Sequence, residues 1–126
     1  MKHKGSTSEF SEERNNDLMR VYRELLQKAP YPINHPSILQ ELVNHKSKKF
    51  WVSSERATIV IADMMKGKTL EGMNETRIEM FTEIYRRVIA YRSNNKEITR
   101  LPLIIEIIVN QEAPKFYLTT GSAKII

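Results

Sequence analysis

The chain has 126 residues and no cysteine, and its 20 Lys and Arg outnumber 15 Asp and Glu to give a formal net charge of +5. This length suits one domain with a modest core, and the lack of cysteine excludes disulfides, thiolate metal sites and a cysteine nucleophile. No apolar run approaches the roughly 18 residues of a membrane span, and the positive charge favours an acidic partner, of which nucleic acid is the usual one.

The first two helices are predicted from capping residues and prolines. Residues 1–10 are polar, carry no secretory signal, and are predicted to be a disordered lead. Ser11 is the predicted cap of the first helix, which should end near Lys28 because the Ala-Pro-Tyr-Pro segment that follows cannot continue it. A second helix with a proline in its first turn should begin at Asn34 or His35.

A basic turn, residues 45–49, separates the second helix from an extended aromatic segment. Residues 50–52 of that segment read Phe-Trp-Val, and Ser53 or Ser54 should cap the third helix. Gly67 fits the left-handed backbone conformation in which helices often end.

The second half of the chain repeats this order of elements. Asn74 is the predicted cap of a fourth helix and Thr99 that of a fifth. Residues 115–118 are then predicted to be extended, and the stub of a sixth helix follows them.

Residue identities support an internal repeat. At an offset of 66 residues, eight residues between Pro36 and Ile59 meet identical residues between Pro102 and Ile125, and at an offset of 63 residues three residues of the first helix meet identical residues of the fourth. The difference of three residues falls in the loop between the first two helices of each unit, where insertions are tolerated. Chance similarity between amphipathic helices is the alternative, but it does not explain the shared Pro, Asn, Lys and Arg.

The predicted fold class is therefore mainly α. We expect a single helical domain, residues 11–126, built from two related three-helix units, residues 11–68 and 74–126, of which the second is truncated at its third helix. Its uncovered apolar surface requires the first unit's third helix, another protomer or a partner. Residues 50–52 and 116–118 are expected to pair as a short two-stranded sheet.

Helical and extended periodicity also predicts the core. We expect it to contain Leu18, Val21, Tyr22, Leu25, Leu42, Phe50, Val52, Ala57, Val60, Ile61, Phe81, Ile84, Tyr85, Val88, Ile105 and Phe116.

No catalytic motif is visible in the sequence. A Gly-rich phosphate loop, a GxSxG segment and an HExxH segment are all missing, and His35 and His45 lie ten residues apart, too far along one helix to share a metal ion. We therefore expect a cytoplasmic protein with no enzyme activity, no cofactor and no metal site.

Residues 38–66 resemble a helix-turn-helix. A short helix and a turn lead to Val52-Ser53, and Ala57 lies four residues after that serine, as at the start of the recognition helix in many bacterial regulators. The resemblance implies double-stranded DNA as the partner. The chain as a whole also resembles small proteins of Bacteroides-type genomes and their mobile elements, which implies a bacterial protein and no particular activity.

Basic residues at both ends of the third helix support the DNA hypothesis. Such residues would contact phosphates, and Arg56 near the start of the helix would read guanine. The predicted nucleic-acid-binding residues are Lys46, Lys48, Lys49, Ser54, Arg56, Lys66 and Lys68.

Other features favour a protein partner. The turn from Val43 to Ser53 is much longer than the usual three or four residues, and Ile59 lies well away from the apolar stripe of its helix. Two hypotheses therefore stay open. The protein is either a non-enzymatic DNA-binding or regulatory protein, or a module for self-association or protein interaction with no nucleic-acid role, with the predicted interface at Ile59, Ile125 and Ile126.

Overall fold

The computed structural model describes residues 5–97 and 100–123, and for residues 5–9 it describes the backbone alone. It confirms that the protein is mainly α. The helices are α1 (Gly5–Lys28), α2 (His35–Val43), α3 (Ser54–Met65), α4 (Glu75–Asn94), α5 (Leu101–Val109) and α6 (Thr120–Ala123). Within these described residues no strand forms.

The helices group into two compact units. Unit 1 is formed by residues 1–51 and 112–126 and contains α1, α2 and α6, whereas unit 2 is residues 52–111 and contains α3, α4 and α5. In unit 1, α2 packs against α1 and α6, and in unit 2 the three helices all pack against one another. The compact units therefore differ from the predicted repeat units, in which α3 would stay with α1 and α2.

The third helix of each predicted repeat thus belongs to the other compact unit. Of the three alternatives for covering the second repeat, the structure uses the third helix of the first repeat, because α3 packs on α4 and α5. Unit 2 is consequently continuous along the chain, and unit 1 is assembled from two separate segments.

Several predicted helix boundaries are confirmed. The side-chain oxygens of Asn34, Ser53 and Asn74 each accept a hydrogen bond from a backbone N–H in the first turn of α2, α3 and α4. Gly67 has φ +85° just after α3, as the left-handed helix end requires.

Two predicted boundaries are wrong. Helix α1 begins at Gly5, so Ser11 lies inside it, because nothing between Ser6 and Phe10 interrupts a helix. Of the predicted disordered lead, residues 1–4 lie outside the described residues and residues 5–10 belong to α1. The cap position of α5 is Arg100, which makes no side-chain capping bond, and Thr99 lies outside the described residues.

The predicted pairing of residues 50–52 with residues 116–118 is also wrong. An isolated antiparallel bridge joins Ser47 and Ala113 instead, three residues earlier in each segment, and these two residues are equivalent at the 66-residue offset. Tyr117 has φ 60°, which an extended ladder does not allow. Its ring stacks on Phe50 with centroids 6.1 Å apart.

Most of the predicted core is confirmed. All of those residues are buried except Tyr22, Leu25 and Tyr85, which are half-buried. The prediction missed further buried residues: Ile38, Val43, Met80, Ile104, Ile108, Val109, Ala113 and Ala123. Three of these, Ile104, Ile108 and Val109, lie on α5 with the predicted Ile105, because α5 is apolar on most of its circumference.

A pair of arginines on α4 binds a carboxylate of the same helix, and one of them also donates to Gln111, two residues after α5. The Glu83 carboxylate accepts hydrogen bonds from Arg86 at 2.6 Å and Arg87 at 2.7 Å, and Arg87 also donates to Gln111 at 3.1 Å. Burial raises the pKa of Glu83, but the hydrogen bonds from the two guanidinium groups outweigh it, so the pKa lies below its ordinary value.

Two isoleucines of α5 provide a matched test of this fold. Ile105 is fully buried, whereas Ile107 is 40% exposed on the same helix. We expect Ile105→Ala to lower the free energy of unfolding by about 2–5 kcal/mol, since it leaves a cavity in unit 2. Ile107→Ala should change it by less than about 0.5 kcal/mol. Urea titrations followed by circular dichroism measure both, and equal losses would contradict the assigned face of α5.

Candidate functional site

A buried carboxylate fixes the basic turn on α1. Asp17 is 2% exposed, and its Oδ2 accepts the backbone N–H of Lys48 at 3.0 Å and lies 3.4 Å from the Ser47 hydroxyl. The other oxygen, Oδ1, accepts hydrogen bonds from Arg20 at 2.7 and 3.1 Å. The hydrogen bond to Asp17 is the main reason why the pKa of Arg20 is raised. The Asp17 side chain therefore links Arg20 on the surface of α1 to the backbone of the basic turn.

The same turn places the chain's single tryptophan. The Trp51 Nε1–H donates to the Ser47 Oγ at 2.7 Å, and the Ser47 hydroxyl in turn lies 3.0 Å from the Lys49 carbonyl oxygen. The Trp51 ring packs against the apolar cluster of unit 1. The path of residues 47–51 is therefore set by buried polar contacts on one side and by apolar packing on the other.

Sequence reasoning missed Asp17, although two signals were present. Asp17 lies four residues before the buried Val21, on the apolar face of α1, where an unpaired carboxylate would be costly. At the 63-residue offset it also meets Met80, so a charge replaces an apolar core residue between the two repeats.

The basic turn contains three lysines on unit 1, of which Lys46 and Lys48 are exposed and Lys49 is half-buried. Lys48 is exposed, and the Lys46 Nζ lies 3.9 Å from Glu112 in an exposed pair. The Lys49 Nζ lies 4.8 Å from the ring centroid of Phe10. Lys115, which the site prediction did not include, follows Ala113 of the bridge by two residues. We call Lys46, Lys48, Lys49 and Lys115 the basic strip.

The remaining predicted nucleic-acid-binding residues belong to unit 2. Ser54 and Arg56 lie in the first turn of α3, and Lys66 follows its last turn, about 15 Å from Arg56 at the usual helical rise. The ammonium of Lys68 lies 3.7 Å from the Asp63 carboxylate in an exposed pair. The structure therefore divides the seven predicted residues between the two compact units.

The two helices of the helix-turn-helix resemblance belong to different compact units, α2 to unit 1 and α3 to unit 2. The segment between them is anchored on α1 through Asp17.

An apolar groove lies on unit 1, where α1, α2 and α6 meet. Its volume is about 410 Å³, and it is lined by Leu18, Met19, Tyr22, His35, Leu39, Leu42 and Ala123. Leu18, Leu42 and Ala123 are buried and form its floor, whereas Met19, Tyr22 and Leu39 are half-buried. Among the lining residues none carries a carboxylate, so the groove is suited to an apolar ligand surface.

The groove has a counterpart in unit 2 that is covered. At the repeat offsets, Leu18, Leu39 and Leu42 correspond to Phe81, Ile105 and Ile108, all of which are fully buried. There α3 spans twelve residues, whereas α6 spans four within the described residues. The residues of unit 2 that match the groove lining at these offsets are therefore buried, in the unit that contains α3.

A second apolar surface lies on unit 2. Ile59 is 58% exposed and Leu103 is 50% exposed, and together with Pro102 they line a shallow depression whose rim includes Glu55 and Glu106. Ile59 was a predicted interface residue, while Ile125 and Ile126 lie outside the described residues.

The structure and the comparisons with known proteins place few further limits on function. Across residues 5–97 and 100–123, no group of three or more histidine or acidic side chains is arranged to hold a metal ion. No helix in this part of the chain has the length and apolar character needed to cross a membrane. No protein-family model, curated protein or solved structure matches the chain.

The contribution of Asp17 can be measured against a matched surface carboxylate. Asp17→Asn removes the charge that Arg20 and the Lys48 N–H share, so we expect a loss of about 2–4 kcal/mol in the free energy of unfolding. Glu24→Gln removes the other, exposed carboxylate bound by Arg20 at 3.0 Å and should cost less than about 0.5 kcal/mol.

Chemical denaturation of both variants, followed by Trp51 fluorescence, provides the comparison. If Asp17→Asn unfolded at the wild-type denaturant concentration, the carboxylate would not be holding the turn.

Proposed function

We propose that this protein is a non-enzymatic interaction module that binds another protein through the groove of unit 1. The proposal rests on a comparison of the groove of unit 1 with the surface of unit 2 that matches it at the repeat offsets. In unit 2 the surface is covered by α3, and in unit 1 the matching side chains line an open apolar groove. Apolar concave surfaces of this kind are typical of protein-interaction sites.

The proposal includes a finer description of the fold, namely two related three-helix units whose third helices are exchanged. Constant spacing supports it. Helices α2 and α5 have nine residues each and begin 66 residues apart, and α3 and α6 begin at the same offset. The bridge between Ser47 and Ala113 joins residues that are equivalent at this offset.

Site-specific photocrosslinking tests the proposed function. We place a benzophenone amino acid at Leu39 in the groove, and at the exposed Ile107 on unit 2 as a control. Irradiation in cells that naturally make the protein should give a distinct protein adduct from position 39 and not from position 107. Mass spectrometry then identifies the adduct.

The identified protein must also bind in purified form. We expect a one-to-one complex that Met19→Lys weakens at least about tenfold, because a charge in the groove wall must be desolvated on binding. An adduct at position 39 that is no stronger than the one at position 107, or a complex insensitive to Met19→Lys, would contradict the proposal.

The basic strip supports DNA binding as a second candidate function. Four lysines lie on neighbouring segments of unit 1, and Glu112 is the acidic residue paired with one of them. Phosphate contacts by such lysines supply most non-specific affinity for DNA. This candidate keeps Lys46, Lys48 and Lys49 from the sequence prediction and adds Lys115.

Fluorescence anisotropy with a random DNA duplex tests this candidate. Three phosphate contacts predict that affinity falls roughly 40-fold between 50 and 200 mM salt. Changing Lys46, Lys48 and Lys49 together to Ala should remove most of this dependence, whereas changing Lys66 and Lys68 to Ala should not. No binding at the lower salt concentration would exclude the DNA function.

A further inference from the structure

We propose that the occupant of the unit 1 groove is an amphipathic α-helix of another protein, with apolar residues spaced as Val60, Ile61 and Met64 are in α3. The inference rests on the proposed function and names the class of partner. It follows from taking the packing of α3 within unit 2 as the model for how a partner helix would pack on unit 1.

Helix α3, the template, is buried along one face. Ala57, Val60 and Ile61 of α3 are buried, whereas Ile59 between them is 58% exposed. Buried residues at positions i, i+3 and i+4 define one helix face, and this face lies on α4 and α5. In unit 1, Ala123 of α6 corresponds to Ala57, so the first contact of the face is already made by the chain. At the same offset Val60 corresponds to Ile126, which lies outside the described residues. We take the spacing of Val60, Ile61 and Met64 along this face as the template for the partner helix.

The walls of the groove favour a helix over an extended peptide. An extended peptide gains affinity by pairing its backbone with an exposed sheet edge, but the lining residues lie on helices, whose backbone groups are bonded internally. Side chains of α1 and α2 instead offer ridges and grooves of the kind that another helix fills. Recognition must therefore come from side chains, which suits an apolar helix face.

The composition of the groove indicates where specificity would arise. Most of the lining is aliphatic or aromatic, and His35 at the start of α2 is its single ionisable imidazole. In unit 2 the corresponding residue is Leu101. A partner helix is therefore expected to place apolar residues along Leu39 and Leu42, and a polar residue or its end beside His35.

A peptide with the sequence of residues 53–67 is the direct probe. Labelled with a fluorophore and added to the full chain, it should bind with a dissociation constant of about 10–100 µM, since ordering a short free helix reduces affinity. Emission of Trp51, which packs against the same apolar cluster, should change with the same midpoint. A peptide with Val60→Asp and Ile61→Asp should bind at least about tenfold more weakly.

Protein variants locate the binding site of the peptide. Leu39→Lys and Met19→Lys, each checked for folding by circular dichroism, should weaken peptide binding at least about tenfold. Ile107→Lys on unit 2 should leave it unchanged. If neither groove variant had an effect, the peptide would be replacing α3 in unit 2 and the inference would be wrong.

A variant in which α6 is extended provides an independent test. Replacing residues 124–126 with the sequence of residues 58–67 continues α6 with the second half of α3. The melting temperature should rise by about 5 °C, and the peptide should no longer bind, because the attached helix occupies the groove. An unchanged melting temperature with unchanged peptide binding would overturn the correspondence between the two surfaces.

Failure here can be distinguished from failure of the proposed function. No binding of the peptide below about 1 mM, together with a specific adduct at position 39, means a protein partner that is not a helix of this kind, and it overturns this inference alone. Without either signal, the groove does not bind protein and both proposals are wrong.

Discussion

The buried carboxylate of Asp17 is the interaction on which unit 1 depends. An ionised side chain inside a protein is tolerated when hydrogen bonds and an opposite charge replace its water, and Arg20, the Lys48 N–H and the Ser47 hydroxyl do so here. These contacts turn the chain sharply after α2. Lys46 and Lys48 of this turn are exposed, while Trp51 packs on the apolar cluster, several residues of which line the groove.

The two compact units each contain three helices, but the described part of the third helix is shorter in unit 1 than in unit 2. In unit 2, α3 packs against both other helices, and in unit 1, α6 packs against α2. Helix α3 has twelve residues, whereas four residues of α6 are described beside the apolar groove of unit 1.

Local signals in the sequence predicted the helices well. Asn34 with a following proline located the start of α2, Ser53 that of α3, and Gly67 the end of α3, because each requirement is met within a few residues. Periodicity likewise identified most of the core. The weakest boundary was at Ser11, since a polar segment that contains no breaker does not show where a helix begins.

The choice of partner for each element was not predictable from local pattern. The apolar face of α3 would suit either α1 and α2 or α4 and α5. Hydrophobic periodicity predicts which face of a helix is buried, but it does not predict which other helices cover that face. Asp17 and Lys115 were missed because their importance comes from residues about 30 and 65 positions away, Lys48 in one case and the segment around Lys49 in the other.

The discontinuous path of unit 1 also has a consequence during synthesis. Unit 2 is made of consecutive residues, so all its helices have left the ribosome before the segment containing Ala113 and α6 appears. Helices α1 and α2 must wait for that segment, because contacts between distant parts of a chain form late and cannot precede their translation. At that stage every helix of unit 2 has been made, whereas unit 1 still lacks Ala113 and α6. Through this interval the apolar faces of α1 and α2 are available to chaperones, or to a partner that binds before α6 arrives.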